Sequence, residues 1–182
     1  MDVPLINRDH QDVFPELCAS DITEIKIRSA KAGDVHGMSA LINHYAAKNV
    51  MLARGPQYLF QHLQDYIVAT TRIAANGQEC VVGCAALNIL WGDLGEVRSL
   101  AVHSSCHHKG LGKEIVANLI ERSRRLDIPR VFCFTLVDDF FRSCGFTVYS
   151  RDLLPPIVWA ECSKCPKFYH CDEISMIYEV AP

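Results

Sequence analysis

Alternating polar and apolar positions mark the two ends of the folded part of the chain. Residues 24–28 read Glu-Ile-Lys-Ile-Arg, and Ile174, Met176, Tyr178 and Val180 alternate near the C-terminus. A two-residue period predicts a strand with one buried face, because successive side chains point to opposite sides of a sheet. We therefore expect a strand at each end of the fold.

Three apolar runs lie close together in the middle of the sequence, at 66–74, 80–91 and 96–102. Asn76-Gly77 follows the first run, and this dipeptide is a strong signal for a hairpin turn. A glycine-containing turn also separates the second run from the third. Short turns join antiparallel strands, so the sequence predicts a three-stranded antiparallel meander.

Apolar residues spaced three and four positions apart predict helices. One helix follows Asp34, a good N-cap residue, and another opens at 107–112. Shorter helices are expected after Gly55 and over 138–144, and the apolar run 131–134 predicts a strand buried on both faces. The residues on the apolar faces of the first three helices are Val35, Met38, Leu41, Ile42 and Tyr45, then Leu59, Phe60 and Leu63, then Leu111, Ile115, Val116, Leu119 and Ile120.

The length and the weak periodicity of the first residues predict the domain organisation. The chain has 182 residues, enough for one domain with a sizeable core. Residues 1–24 contain two prolines and no clear period. We expect an N-terminal extension over 1–24 and a single domain over 25–182.

Composition narrows the class of protein. Charged residues make up 21% of the chain and the formal net charge is -3, which gives no electrostatic basis for binding nucleic acid or an anionic membrane. The longest apolar stretch, 80–91, is too short to span a bilayer, and residues 1–21 lack the basic start and apolar core of a secretory signal. Nine cysteines, most of them inside apolar runs, indicate reduced thiols and a cytoplasmic protein.

A glycine-containing loop at 107–112 stands between a predicted strand and the start of a predicted helix. Exposed N–H groups at a helix start, together with the helix dipole, form an anion site. Gly110 and Gly112 let the backbone approach a pyrophosphate closely, and Lys109 and Lys113 add positive charge. The loop lacks the Gly-Lys-Ser/Thr ending of a P-loop and the three glycines of a dinucleotide fold. Its spacing alone fits either a phosphate site or an ordinary strand-to-helix turn.

These residues resemble the GNAT superfamily of acetyl-CoA-dependent N-acetyltransferases. That superfamily carries Gln/Arg-x-x-Gly-x-Gly/Ala directly after a strand that ends in an apolar triplet. Leu-Ala-Val at 100–102 and Gly-Leu-Gly at 110–112 match this pattern, while His107 occupies the usual Gln/Arg position. The order of the elements from 25 to 180 matches as well. The resemblance implies an α/β (α+β) GNAT fold, in which a mixed central sheet of about seven strands is flanked by helices.

The same resemblance implies a coenzyme site along the third meander strand and the loop after it. Acetyl-CoA is the expected cosubstrate, and no metal is expected. Backbone groups near Leu100 and Val102 would hold the pantetheine arm, where the strand splays from its neighbour. The residues expected to bind the coenzyme are Leu100, Ala101, Val102, His107, His108, Lys109, Gly110, Leu111, Gly112, Lys113 and Phe141.

A narrower resemblance is to the short, stand-alone form of the N-acetylglutamate synthase family, which catalyses the first step of arginine biosynthesis. The similar segments are 51–54, 96–102, 162–168 and 171–173, together with the final strand. This resemblance implies that L-glutamate is the small-molecule acceptor and that N-acetyl-L-glutamate is the product. A homodimer is a further expectation from the family.

Acetylation of an amine requires a group that takes up the proton of the nitrogen. Glu96 is the candidate base, because several family members carry a glutamate there; the alternative is a carboxylate paired with a nearby arginine.

The two carboxylates of L-glutamate require arginines that bind them bidentately. Arg54 and Arg98 are the candidates, with Lys167 as a third; the alternative is weak surface ion pairing. If the alternation is regular, Arg98 shares a strand face with Glu96 and Leu100.

One family feature is missing. Many GNAT enzymes place a tyrosine four residues before a Gly-Phe pair, where it protonates the departing thiolate. Gly145-Phe146 is present here, but the matching position holds Phe141, which cannot donate a proton. Coenzyme A thiolate is a tolerable leaving group, so we expect solvent to protonate it.

A late cysteine cluster consists of Cys162, Cys165 and Cys171. Zinc uses the Cys-x-x-Cys spacing, and His170 and Cys171 could complete four ligands, although adjacent ligands are unusual and a second Cys-x-x-Cys is missing. A disulfide is the second alternative. The preferred interpretation is a compact turn of buried thiols packed under Trp159 and Phe168.

Two other functions are compatible with the sequence. A GNAT enzyme could acetylate a different small amine, a lysine or a peptide N-terminus, because the weakly constrained segments 48–63 and 153–170 build the acceptor pocket. A non-catalytic acetyl-CoA sensor is the other alternative. Phe141 and His107 favour the sensor, whereas Glu96 together with two arginines argues against it.

Overall fold

A computed structural model describes residues 17, 22–73, 77–163, 165 and 167–180 of the chain. The strands within these residues are β1 (Ile22–Ser29), β2 (Tyr66–Ile73), β3 (Glu79–Trp91), β4 (Leu94–Val102), β5 (Arg130–Thr135), β6 (Thr147–Val148) and β7 (Ile174–Glu179). The helices are α1 (Val35–Ala46), α2 (Pro56–Gln61), α3 (Leu111–Arg125), α4 (Asp138–Arg142) and α5 (Trp159–Cys162). None of these helices is long and apolar enough to cross a membrane.

The strands form one sheet in the order β1-β2-β3-β4-β5-β7-β6. Strands β1 to β4 are antiparallel neighbours, β4 and β5 run parallel, and β7 is antiparallel to β5 and β6. The predicted mixed sheet of about seven strands with flanking helices is therefore confirmed, as is the antiparallel meander of β2, β3 and β4. Strand β6 was not predicted, because two residues are too few to show a period.

One face of the sheet is covered by α3 and α4. A Cβ placed on Gly83 of β3 would lie 2.7 Å from Cδ1 of Ile115, so the glycine lets α3 pack directly on the middle of the sheet. Ile115 and Leu119 are fully buried there and join apolar residues of β2 to β5 and β7 in the larger core. Burial of each such side chain contributes roughly 1.5–3 kcal/mol.

The opposite face carries two separate apolar clusters. Helices α1 and α2 cover one of them, in which Met38 and Leu59 are fully buried. Residues 154–159 cover the other, which includes Leu154 and Val158. The two clusters meet different parts of β4, and the stretch of β4 between them is where the charged candidate residues lie.

Strand β4 changes register at Ser99. Its pairing with β3 passes from Ala86–Arg98 to Cys84–Ala101, so β4 contains one extra residue. Ser99 has a left-handed φ of 52°, and its Oγ accepts a hydrogen bond from the hydroxyl of Tyr66 at 3.1 Å. Leu100 then packs into the α3 core. The expectation that Leu100 shares a face with Arg98 is wrong, because the bulge shifts the alternation by one residue.

Three local predictions also need correction. The Asp34 carboxylate makes no cap hydrogen bond to α1; it accepts two hydrogen bonds from Arg28 and one from the N–H of Lys31. Phe60 is 48% exposed and does not belong to the buried face of α2. Strand β7 is buried at 175–177 instead of at every second residue, because it lies between β5 and β6 with both faces covered.

Most of the predicted N-terminal extension lies outside the described residues, as does Asn76 of the predicted hairpin turn. Leu17 is described and packs against the larger core, and its carbonyl accepts a hydrogen bond from Ser105. The first strand begins at Ile22, slightly earlier than the sequence pattern predicts. The division into an extension over 1–24 and a domain over 25–182 stays a prediction.

Candidate active site

Strands β4 and β5 run side by side for only two residue pairs. The pairs are Gly95–Val131 and Glu96–Phe132, and beyond them the described residues of the two strands diverge. His103 donates its N–H to Val82 of β3. The preceding N–H, that of Val102, therefore points away from β3 and into the opening between β4 and β5. Backbone groups of β4 that border this opening have no strand partner among the described residues, and binding of the coenzyme to them stays a prediction.

The loop after β4 leads directly into α3 at the wide end of this opening. Gly110 has a φ of 84°, a left-handed conformation that suits glycine, and it lies at the N-terminus of the helix. A Cβ on Gly112 would lie 3.2 Å from the ring of Phe140, so α3 begins in close contact with α4. Lys109 and Lys113 are exposed beside the first N–H groups of the helix. These groups give the loop a positive charge that would suit an anion, and a phosphate site there stays a prediction.

The side chain of His107 points toward the end of β4 and toward α1. Its Nε2 lies 2.8 Å from the carbonyl oxygen of Val102 and 3.0 Å from the hydroxyl of Tyr45, and that hydroxyl donates to the same carbonyl at 2.6 Å. His107 thus fastens the loop to the end of β4 and to α1, while His108 is exposed next to it. This role of Tyr45 was not predicted, because in the sequence the residue belongs to an apolar helix face.

The coenzyme candidates fall into two groups. Leu100 and Val102 are partly buried against the larger core and the loop residues 107–110 are exposed, whereas other candidates are fully enclosed. The inward-facing candidates are Ala101, Leu111 and Phe141, which are all buried. The ring of Phe141 contacts Phe140 and Phe146 in the core, so its coenzyme role stays a prediction.

Glu96 and Arg98 project from β4 between the two apolar clusters of their face. Leu94 belongs to one cluster and Ala101 to the other, and the bulge at Ser99 keeps Ala101 on the same side as Arg98. Nε and Nη2 of Arg98 both lie 2.6 Å from Oε2 of Glu96. Each side chain is only 11% exposed. The pair is therefore buried, not a weak surface ion pair.

The pKa values of Glu96 and Arg98 are both shifted. Burial raises the pKa of Glu96 to about 7, because desolvation of the carboxylate outweighs the attraction and hydrogen bond of Arg98. Burial alone would lower the pKa of Arg98, but the charge and hydrogen bonding of Glu96 raise it. Glu96 consequently changes charge near neutral pH while Arg98 remains a cation, and this property is what a general base requires.

Arg54 approaches the same place from the loop before α2. Asn43 of α1 fixes its backbone, because the Asn43 amide accepts from the Arg54 N–H at 3.0 Å and donates to the Arg54 carbonyl at 3.1 Å. The Arg54 guanidinium stacks 4.1 Å from the ring centroid of Tyr58. Its Nη1 donates to Oε2 of Glu161 at 3.1 Å. The loop thus holds Arg54 in one orientation.

Tyr58 connects the two arginines. Arg54 lies over its ring, and Tyr58 contributes, after Glu96, to raising the pKa of Arg98. The structure therefore brings Glu96, Arg54 and Arg98 into one group, as the sequence analysis expected. Tyr58 and Glu161 were not predicted from the sequence. The signal that could have revealed Glu161 was a lone carboxylate inside the apolar stretch at 157–162.

Lys167 is not part of this group as described. Its Nζ lies 3.1 Å from Oδ2 of Asp172 and 3.5 Å from the carbonyl oxygen of Asn49, and its side chain is 44% exposed. Its contact with Asn49 joins the segment after α5 to the loop after α1. A substrate-binding role for Lys167 stays a prediction.

The late cysteines lie in a partly buried region. The N–H of Cys165 donates to the carbonyl of Cys162 at 2.9 Å, and Nη2 of Arg151 lies 3.3 Å from Sγ of Cys171. Burial raises the pKa of the Cys162 thiol to about 11. Across the described part of the chain, no group of three or more His, Cys, Asp or Glu could hold a metal ion. The prediction of buried thiols is wrong, because Cys162, Cys165 and Cys171 are only partly buried and Phe168 is 39% exposed.

Comparison with known proteins matches the central part of the chain. A family model described as the Acetyltransferase (GNAT) family matches residues 39–146. An uncharacterised N-acetyltransferase of Chlorobaculum tepidum is 32% identical over 151 residues, which are 83% of this chain and 94% of that protein. An amino-acid acetyltransferase of Mycobacterium tuberculosis is 37% identical over 121 residues, which are 66% of this chain and 67% of that protein.

A solved structure shares both the architecture and part of the sequence. The N-acetylglutamate synthase of Neisseria gonorrhoeae, complexed with coenzyme A and N-acetyl-glutamate, superimposes with a TM-score of 0.76 at 25% identity. The match covers 88% of this chain and 36% of that one. This chain is therefore similar to about a third of a longer protein.

The ionisation of Glu96 can be tested directly. Carbon-13 NMR of the labelled glutamate carboxyls, assigned with Glu96→Gln, should show one group that titrates near pH 7. In Arg98→Met this pKa should rise further, because the variant lacks the attraction and hydrogen bond that favour the charged carboxylate. The control is Arg124→Met on the exposed side of α3, which should leave the titration unchanged. A Glu96 pKa near 4.5 in the wild type would contradict the burial argument.

Proposed function

Because the chain belongs to the acetyltransferase (GNAT) family and is an N-acetyltransferase, we propose that it transfers acetyl from acetyl-CoA to the α-amino group of L-glutamate. The observation that carries the proposal is the joint position of Arg54 and Arg98 around Tyr58, next to a carboxylate with a pKa near neutrality. Arg54 and Arg98 can each bind one of the two carboxylates of L-glutamate, and Glu96 can accept a proton from its amine.

The residues around the opening between β4 and β5 fit acetyl-CoA. The pyrophosphate would lie on the N–H groups at the start of α3, beside Lys109 and Lys113. The pantetheine arm would extend along β4, hydrogen-bonded to backbone near Leu100 and Val102. The thioester supplies an activated acetyl group, and a β4 N–H near Leu100 would stabilise negative charge on its carbonyl oxygen. This arrangement would bring the acetyl group toward the part of β4 that carries Glu96.

In the proposed reaction Glu96 accepts a proton from the ammonium group of the acceptor. The free amine then forms a C–N bond to the acetyl carbon, and the C–S bond breaks to release coenzyme A thiolate. The nitrogen loses its second proton to solvent as the amide forms. A pKa of about 7 places Glu96 near the operating pH, where a base combines an adequate deprotonated fraction with adequate proton affinity. Phe141 cannot donate a proton, so solvent protonates the thiolate in this scheme.

The arginines would bind and orient the acceptor. Arg98 lies beside Glu96 on β4 and suits the carboxylate next to the reacting amine, while Arg54 would bind the distal carboxylate. Holding both ends fixes the direction of the amine, and orientation of this kind accounts for a large part of the rate of a bimolecular reaction. The known complex of the gonococcal synthase with coenzyme A and N-acetyl-glutamate supports the same acceptor.

The wider setting is part of the proposal. The product N-acetyl-L-glutamate would serve arginine biosynthesis, and the protein would act in the cytoplasm. The free thiols of the described cysteines support a reducing compartment. A homodimer stays a prediction from the family.

The choice of acceptor is tested by following coenzyme A release from acetyl-CoA with L-glutamate, L-glutamine, L-aspartate, L-lysine, polyamines and short peptides. We expect selective turnover of L-glutamate. Arg54→Ala and Arg98→Ala should each lower kcat/KM for L-glutamate at least tenfold, because each removes a charge-assisted contact to a carboxylate. The matched control is Arg124→Ala, an exposed arginine of α3, which should retain activity.

Other outcomes of this panel separate the alternatives. Turnover of a different amine alone would retain the acetyltransferase and refute the glutamate assignment. Binding of acetyl-CoA without turnover of any amine would favour a non-catalytic sensor.

The base role of Glu96 is tested by the pH dependence of kcat. In the wild type kcat should rise with pH to a plateau above about pH 7, because only the deprotonated Glu96 accepts a proton. Glu96→Gln should lower kcat by about a hundredfold or more and remove this titration from the profile. Ionisation of the free amine affects both proteins equally, and acetyl-CoA affinity serves as the control for folding. Unchanged kcat in Glu96→Gln would refute the role.

A further inference from the structure

The guanidinium of Arg54 is buried but only partly hydrogen-bonded. Its side chain is 11% exposed, and Nη1 contacts Glu161 at 3.1 Å. Nε is buried and has no hydrogen-bond partner among the residues that the structure describes. A buried donor without an acceptor is destabilising. Glu161 does not accept a hydrogen bond from Nε. A carboxylate that bound Nε and one terminal nitrogen of the guanidinium together would supply the missing acceptor.

The formal charges of the site already cancel. Glu96 faces Arg98, and Glu161 faces Arg54. L-Glutamate adds two carboxylates and one ammonium group, a net charge of -1, and excess charge is strongly unfavourable in this buried group. Binding of such an acceptor therefore requires one of the two protein carboxylates to leave its arginine.

Glu161 is the carboxylate that can leave. Glu96 is fixed on a central strand, with its side chain 11% exposed and 2.6 Å from Arg98. Glu161 lies on α5, a helix of four residues between short turns, and its side chain is 25% exposed. Rotation of the Glu161 side chain toward solvent would free Arg54 without disturbing the sheet.

We propose that Glu161 is a specificity-determining residue that occupies the place of the acceptor's distal carboxylate on Arg54 until the acceptor displaces it. The inference rests on the proposed function, because it assigns Arg54 to the distal carboxylate. It identifies the ligand class of the Arg54 position as the carboxylate end of a dicarboxylate. An amine without a second carboxylate cannot displace Glu161, so the Arg54–Glu161 pair selects for acidic acceptors.

Binding of glutarate tests the inference without turnover. Glutarate has the two carboxylates of glutamate but no amine, and its dissociation constant can be measured by calorimetry on the wild type and on Glu161→Gln. We expect Glu161→Gln to bind glutarate about tenfold more tightly, because the competing carboxylate is gone. Arg54→Ala should lose this binding. The matched control is Glu121→Gln, which removes an exposed carboxylate paired with Arg124 on α3 and should not change the affinity.

Kinetics provide a second measurement that a purely structural role would not produce. The KM for L-glutamate should fall about tenfold in Glu161→Gln, and the KM for L-glutamine should fall at least as much, because the variant lacks the carboxylate that L-glutamine cannot displace. Equal or weaker glutarate binding in Glu161→Gln, or no glutarate binding to either protein, would overturn the proposal. Failure of the wild type to acetylate L-glutamate would instead refute the proposed function, since glutarate binding is measured independently of turnover.

Discussion

Glu96 loses its water because β4 carries it between two apolar clusters, and this desolvation determines the chemistry of the site. The carboxylate keeps a partner in Arg98 at 2.6 Å, yet burial still raises its pKa to about 7. A carboxyl group in water is fully ionised at neutral pH and has little affinity for a proton. The surrounding apolar packing therefore gives an ordinary glutamate the proton affinity that a base near neutral pH requires.

The divergence of β4 from β5 brings the two proposed substrates to a single strand. One edge of β4 loses its strand partner after Glu96 and can bind an extended coenzyme through its backbone. One face of the same strand carries Glu96 and Arg98. The bulge at Ser99 separates these functions, because it turns Leu100 toward the α3 core and keeps the charged pair on the opposite side.

Strong local periodicity explains how much of the fold could be predicted. The apolar stripe of α3, the meander and the position of the glycine loop follow from spacings of a few residues, and the structure confirms each of them. The short strand β6 and the bulge at Ser99 have no such local signal. The bulge depends on pairing with β3 and on the hydroxyl of Tyr66, which lies 33 residues earlier in the chain.

The same limit applies to the site. Glu96, Arg54 and Arg98 were predicted from a family resemblance, whose motifs carry information that periodicity lacks. Glu161 was missed because its partner Arg54 is 107 residues away, and nothing local in the sequence specifies that contact. Lys167 lies in segment 162–168, which is part of the resemblance, but its side chain pairs with Asp172 in the structure. Contacts between distant segments therefore determine which of the candidate residues lie close to Glu96.

A crystal structure of the protein with coenzyme A and N-acetyl-L-glutamate would test the central claim most directly. The account predicts the pantetheine arm between β4 and β5, the pyrophosphate at the start of α3, and the two product carboxylates on Arg98 and Arg54. Coenzyme A bound away from the opening, or a product whose carboxylates contact neither arginine, would contradict it.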